Sequence, residues 1–363
     1  MSLKRHRVLI VDDIVANIDI LLETLKDEYT VIVATNGKKA LKLASRKPQP
    51  DIILLDIMMP EMDGFEVCSR LKADNSTKNI PVIFVTTLTQ SSDEAKGLEL
   101  GAVDYIAKPI HPQLLKARIF NHLELKVHKD NLEELVYERT KELKLAKEAT
   151  IEAMGIVAEN RDPETGGHIQ RTKNYMKVLA KELAFNPKYK DRLSKDMIEL
   201  LYSSAPLHDI GKVAISDKIL LKSTKLNSSE FEKMKEHTTI GEATIEIVQT
   251  KVGKNEFLET AKMMAVSHHE KYDGSGYPRG LKGDDIPLCG RLMALADVYD
   301  ALISRRTYKE PISHSKVVEI IKNDSGTHFD PDIVDAFLNS CEKFREIAIE
   351  FAQSEEELKF INQ

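Results

Sequence analysis

Three short, continuous apolar runs stand near the start of the chain: Val8-Leu-Ile-Val11, Ile52-Ile-Leu-Leu55 and Val82-Ile-Phe-Val85. Each stops abruptly at polar residues, Asp12-Asp13, Asp56 and Thr86-Thr87. Runs this short and uniformly apolar predict strands covered on both faces, as in a parallel sheet under helices. Amphipathic stretches fall between them, over 18–25, 38–44, 65–71 and 92–100. Residues 1–122 therefore predict a doubly wound α/β domain whose functional residues lie at the carboxyl ends of the strands. From Pro112 to Glu152 there is neither Gly nor a further Pro, and Leu115, Ile119, Leu123, Leu132, Leu135 and Leu143 recur at helical steps, with gaps. This predicts one long helix, with 123–150 as a connecting segment. Its Lys- and Glu-rich flanks suit a parallel coiled coil joining two protomers, the favoured reading, or a solvated linker helix without a partner. Beyond residue 150 the strand-like runs vanish. Helical patterns over 169–183, 195–207, 229–248, 258–269, 291–303, 314–322 and 332–344 predict that 151–363 is an all-α domain with its site between packed helices. The chain thus reads as multidomain.

Composition changes this picture little. Of 363 residues, 42% are hydrophobic and 30% charged, which suits globular domains rather than disorder. A net charge of −6 without a dense basic tract argues against direct nucleic-acid binding. Cys68, Cys289 and Cys341 are scattered without paired spacing, as in a reducing cytoplasm with no disulfide framework. Lys4, Arg5 and Arg7 before Val8–Val11 mimic the start of a signal peptide, but Asp12 and Asp13 end the apolar run too early. No run approaches the roughly 18 apolar residues of a spanning helix. The expectation is a soluble, cytoplasmic protein that does not use a membrane.

Chemistry first gathers at the edge of the α/β domain. Asp12, Asp13 and Asp56 follow strands and would converge there. Clustered carboxylates repel one another unless a cation holds them, and hard oxygen ligands suit Mg²⁺. Thr86 and Lys108 end later strands at the same edge, where Lys108 can pair with the acids or with a phosphoryl oxygen. The bland alternative is an acidic loop edge on an unrelated sheet of this kind. The segment resembles the receiver domain of bacterial response regulators, through Asp12-Asp13, Asp56-Ile-Met-Met-Pro-Glu-Met-Asp-Gly64, Thr86, Tyr105 and Lys108-Pro109. That resemblance implies that Asp56 accepts a phosphoryl group from a sensor histidine kinase. It also implies that Asp12, Asp13 and the Met58 carbonyl hold Mg²⁺, and that Thr86 and Tyr105 form a switch.

In the helical domain the organising stretch is Ala205-Pro-Leu-His-Asp-Ile-Gly-Lys212. Adjacent His208 and Asp209 fit poorly in an apolar core but suit metal ligation, with the carboxylate able to bridge two ions. Further candidate ligands are Glu164, His168, His237, His268, His269 and Asp297. Glu164 and His168 are four apart, one helical face, with Asp162 as a cap and Pro163 at the first position. His268 sits on the face of Ala261, Met264 and Ala265, with His269 about 100° round the same helix. Asp297 falls inside an apolar helix, where an unpaired carboxylate is costly. Each residue alone has a bland explanation, such as a satisfied core histidine or a surface contact; together they call for a cation. Asp273-Gly-Ser-Gly-Tyr-Pro278 is a Gly-rich turn where Tyr277 can pack on a substrate, and Arg305, Arg306 and Lys309 either form a solvated face or grip phosphate.

These motifs resemble the HD-GYP family of cyclic di-GMP phosphodiesterases, within the wider HD phosphohydrolases. The resemblance runs through Arg161-Asp-Pro-Glu-Thr-Gly-Gly-His168, His208-Asp-Ile-Gly-Lys212, His268-His-Glu-Lys-Tyr-Asp-Gly-Ser-Gly-Tyr-Pro278, Ala296-Asp-Val-Tyr-Asp300 and Phe329-Asp-Pro331. It implies that His168, His208, Asp209 and Asp297 bind one metal and that Asp209, His237 and His268 serve a neighbouring one. His269 and Glu164 match ligands of a third ion found in part of the family. Iron or manganese suits such ligands. Lys212 would act with Asp209 at the scissile phosphate, Arg306 and Lys309 would bind substrate phosphate, and Tyr277 would line the base or phosphate pocket. Thr307 departs from the family, which usually has proline there. Two other readings stay open: an HD phosphohydrolase of another nucleotide, and a receptor that binds a cyclic dinucleotide without cleaving it.

Overall fold

The computed structural model describes residues 5–87, 91–159, 167–222, 224–304, 311–352 and 355–361. The chain divides into two compact units, Met1–Lys141 and Glu142–Gln363.

The first unit alternates strands and helices: β1 Arg7–Val11, α1 Val15–Leu25, β2 Thr30–Ala34, α2 Gly37–Ser45, β3 Ile52–Leu55, α3 Gly64–Ala73, β4 Val82–Thr86, α4 Ser91–Glu99 and β5 Asp104–Ala107, followed by α5 Pro112–Glu159. The five strands are parallel, in the order β2-β1-β3-β4-β5. The three uniformly apolar runs form the buried centre, β1, β3 and β4. The two edge strands carry a mixed pattern, and so lack the signature of strands covered on both faces. Leu9, Val11, Ile53, Leu55 and Phe84 pack on one face with residues of α2 and α3. Val8, Ile10, Ile52, Leu54 and Val85 pack on the other with Ile18, Leu21 and Leu25 of α1 and with Leu115, Ile119 and Leu123 of α5. The alternation of sides along each strand is what distributes its apolar residues between two cores.

Helix α5 is 48 residues long and exceeds the predicted connecting segment at both ends. Every residue from 131 to 150 is exposed, including Leu132, Leu135, Val136, Tyr137, Leu143 and Leu145.

In the second unit, α5 is followed by α6 His168–Leu183, α7 Lys195–Ser204, two 3₁₀ turns at Ala205–Leu207 and Ile210–Ala214, α8 Asp217–Leu220, α9 Ser228–Val252, α10 Glu256–Ser267, α11 Leu288–Ile303, α12 His314–Asn323, α13 Pro331–Glu350 and α14 Glu355–Ile361. Its core is built on stacked Tyr175 and Phe344, 4.5 Å between centroids, with Tyr299 and Phe337 edge-on to Phe344. Helix α6 begins at His168 behind Gly167 at φ 95°, and Asp162, Pro163 and Glu164, the expected cap and first turn before it, lie outside the described residues. Two local expectations are corrected. The pattern over 195–207 splits, because Pro206 has no N–H for an α-helical bond and the chain tightens into a 3₁₀ turn. Helix α10 stops at Ser267 with His268 as its C-cap, so His269 is not on the helix. Among the described residues, no helix is long and apolar enough to cross a membrane.

Candidate functional site

His208 and Asp209 occupy the corner between the two 3₁₀ turns. Gly211, two residues on, lets α9 come close: a Cβ there would lie 1.9 Å from the His237 carbonyl oxygen. This approach brings His237 beside Asp209. The end of α10 adds His268 and His269, the start of α6 adds His168, and α11 adds Asp297. The result is two overlapping groups, His168–His208–Asp209 and Asp209–His237–His268–His269, each with ligand atoms within 4.8 Å of one another.

Asp209 is the shared member. Its Oδ2 lies 3.3 Å from His208 Nε2 and 2.8 Å from Lys212 Nζ. Its Oδ1 lies 3.4 Å from His237 Nε2 and 3.5 Å from His268 Nε2. His168 Nε2 is 3.5 Å from His208 Nε2 and 3.7 Å from Asp297 Oδ1.

The other ring nitrogens decide what these Nε2 atoms can do. Nδ1 of His208 faces the Ala205 carbonyl at 2.9 Å, Nδ1 of His237 the Met234 carbonyl at 2.7 Å, and Nδ1 of His268 the Ala265 carbonyl at 3.1 Å. Nδ1 of His168 faces Asp300 Oδ2 at 2.8 Å. A nitrogen that faces a carbonyl or carboxylate oxygen donates its proton there, so neutral imidazoles turn bare Nε2 lone pairs inward. Asp209 Oδ1, His237 Nε2 and His268 Nε2 are buried and make no hydrogen bond. Lone pairs facing lone pairs in a buried site repel one another, and divalent cations are the partner that satisfies them all. The donor set therefore fits metal ions, with Asp209 placed between two positions.

Electrostatics agree at His237, His269 and Asp209 and run the other way at His208. Burial pushes the His237 pKa down to about 4, against the pull of Asp209. Desolvation and the neighbouring His268 and His237 hold His269 well below the usual range. Burial would raise Asp209, but Lys212 and His208 outweigh it and keep the carboxyl well below the carboxylate range. At His208 burial is likewise outweighed, by the Asp209 charge, and the pKa is raised. Neutral imidazoles beside an ionised carboxylate are the protonation states that ligate metals.

Two supporting residues escaped sequence reasoning. Asp300 receives Arg171 Nε at 2.7 Å and Nη2 at 2.9 Å while it anchors His168, and all three are buried. Burial would raise its pKa, but Arg171 and His168 hold it far below the usual range. The available signal was spacing: Arg171 lies one turn after His168, and Asp300 one turn after Asp297. A separate trio, His314, Cys341 and Glu342, also lies within 4.8 Å, but His314 bonds Tyr299 and Glu342 pairs with Arg345.

The Gly-rich turn folds back so that the Tyr277 ring lies against His269, 4.9 Å between centroids at 32°. Glu164, Arg306 and Lys309 lie outside the described residues.

In the first unit Asp12, Asp13 and Asp56 gather within 4.8 Å at the carboxyl ends of β1 and β3. Lys108 Nζ reaches Asp12 at 2.8 Å and Asp56 at 2.9 Å. Burial raises the Asp56 pKa, with Lys108 opposing and Asp12 and Asp13 adding to it. Met58 is exposed in the loop after β3, Thr86 ends β4 buried, and Tyr105 lies half-buried in β5.

Comparison with known proteins accounts for both constellations. Residues 8–120 match the response regulator receiver domain and residues 152–333 the HD domain. The chain belongs to the HD-domain response regulators. A Vibrio cholerae protein described as a probable cyclic di-GMP phosphodiesterase is 48% identical, over 98% of this chain and 82% of its own. The Xanthomonas campestris cyclic di-GMP phosphodiesterase response regulator RpfG is 35% identical, over 83% of this chain and 78% of its own. A Thermotoga maritima cyclic di-GMP phosphodiesterase is 35% identical, over 91% and 89%. In this HD-domain response regulator the His/Asp cluster falls inside the HD match and the acidic trio inside the receiver match.

Proposed function

We propose that this protein is a metal-dependent phosphodiesterase that hydrolyses cyclic di-GMP, to the linear dinucleotide or as far as GMP, under the control of phosphorylation at Asp56. The observation that carries the hydrolase reading is the pair of ligand groups sharing Asp209, with unpaired Nε2 and Oδ1 atoms turned into one pocket. His168, His208, Asp209 and Asp297 would hold one divalent ion, and Asp209, His237 and His268 a second. His269, with Glu164, is the proposed ligand set for a third. Iron or manganese suits the set. Such ions lower the pKa of water toward neutrality and so supply the nucleophile when bound.

The chain's own groups do the rest. Lys212 keeps Asp209 ionised and carries a positive charge to the pocket, where a phosphoryl oxygen gains charge in the transition state. Asp300 holds His168 in the tautomer that ligates. Tyr277 packs on the substrate, and Arg306 and Lys309 bind its phosphates. In the receiver, Asp12, Asp13 and the Met58 carbonyl hold Mg²⁺, Lys108 meets the phosphoryl group on Asp56, and Thr86 and Tyr105 read it. A sensor histidine kinase supplies the phosphoryl group. We assign the receiver to 1–122, the connecting helix to 123–150 and the hydrolase to 151–363, with exposed apolar residues of α5 pairing two protomers.

The test is product analysis by chromatography after purified protein, loaded with manganese or iron, meets cyclic di-GMP and a panel of other cyclic dinucleotides. Turnover of cyclic di-GMP is expected. Binding without cleavage, under every metal and phosphorylation state, would refute the enzyme.

A further inference from the structure

Glu270 follows the two histidines directly, is only 2% exposed, and makes no ion pair among the described residues. Its carboxylate instead accepts two backbone hydrogen bonds across the Gly-rich loop. Arg279 N donates to Oε1 at 2.8 Å and Leu281 N donates to Oε2 at 3.0 Å. A buried charge without a cationic partner is an expensive way to hold a loop that has only to be closed. What it achieves is a fixed distance between the start of the loop and its returning limb. Two further observations show where that limb is pressed. Gly276 lies so tightly on the loop start that a Cβ would sit 2.2 Å from Lys271 N and 2.5 Å from the Glu270 Cα. Between Gly276 and Arg279, Tyr277 N donates to the His269 carbonyl at 3.2 Å, and the Tyr277 ring lies on the His269 ring.

We infer that Glu270 is a positioning residue for substrate: its carboxylate clamps residues 279–281 so that Tyr277 is held as the wall of the pocket beside His269. The inference rests on the phosphodiesterase reading for the identity of the substrate, but the clamp itself does not. The Glu270 side chain bonds outward to the loop, so it governs how the nucleotide is held and leaves the metal ligands unchanged.

The experiment is Glu270→Gln in the full chain. One amide NH₂ then faces a backbone N–H, and one of the two charge-assisted bonds is lost. KM for cyclic di-GMP is expected to rise roughly tenfold or more, the loss of one such bond, with kcat little changed. Metal content and turnover of bis(p-nitrophenyl) phosphate, too small to need the loop, should stay parental. Amide hydrogen exchange at Arg279 and Leu281 should quicken. Gly276→Ala, which lifts the same loop without touching a charge, should reproduce the pattern. Unchanged KM and exchange would overturn the inference. So would equal losses on both substrates together with loss of metal, which would make Glu270 a support of the metal site. A parent protein inactive on cyclic di-GMP would refute the phosphodiesterase reading, and the exchange rates would still decide the clamp.

Discussion

Replacing Gly211 by Ala would put a methyl carbon 1.9 Å from the His237 carbonyl oxygen and 2.7 Å from the Gly241 amide nitrogen. Both neighbours are backbone, so no side chain can swing away. Ordinary contact begins near 3.4 Å, and α9 and the turn must therefore part by about 1.5 Å. His237 is carried on α9 and Asp209 on the turn, and they meet at 3.4 Å in the parent. Metal–ligand distances tolerate only about 0.2 Å, so a separation of this size would break the proposed second ion position. The proposed first position draws on His168, His208, Asp209 and Asp297, none of which is carried by α9. The expected outcome is a folded protein, destabilised by about 1–3 kcal/mol as overpacked sites are. It should lack one metal per chain and lose about 100-fold or more in kcat, the usual result of misplacing a reacting group by an ångström. Elemental analysis gives the stoichiometry and product chromatography the rate. Parental metal content with parental turnover would refute the proposal that the α9 approach builds the site.

Asp300→Asn removes the Asp300 charge from beside the buried Arg171 guanidinium and should cost about 3 kcal/mol, read by chemical denaturation; a change under about 1 kcal/mol would show that the pair does not hold the core. In metal-free protein, His237 resists protonation down to about 4 while its unfolded counterpart titrates near 6.5. Below pH 6.5 the unfolded chain takes up the proton first, so stability should fall as pH drops from about 6.5 to 4, by roughly 3 kcal/mol at most. Denaturation midpoints at pH 7 and pH 5, with His237→Gln flattening the difference, check this. Asp56→Asn should abolish any change in phosphodiesterase rate caused by a small-molecule phosphodonor, and a response equal to the parent's would remove Asp56 from control. Chelation should lower the melting temperature through loss of ligand binding to the folded state, about 2.7 kcal/mol for ions present at a hundred times their Kd, and restored metal should return it.

Periodicity along the chain was enough to place β1, β3 and β4, to put Asp12, Asp13 and Asp56 at their carboxyl ends, and to separate an α/β half from a helical one. Those features follow from short-range rules, because an apolar run and the polar residue that ends it are neighbours in sequence. The candidate ligands were legible as residue types, since His208-Asp209 and His268-His269 have few comfortable places in a core. Their grouping was not. Residues 168, 209, 237 and 268 meet only because Gly211 admits α9 and because α10 stops at Ser267, turning His268 inward as a cap. Edge strands β2 and β5 and the Asp300–Arg171 pair likewise depended on partners more than twenty residues away. Which imidazole nitrogen is free, and that Asp209 is shared by two groups of candidate ligands, are facts about packing and hydrogen bonding across the fold, and no local pattern in the chain encodes them.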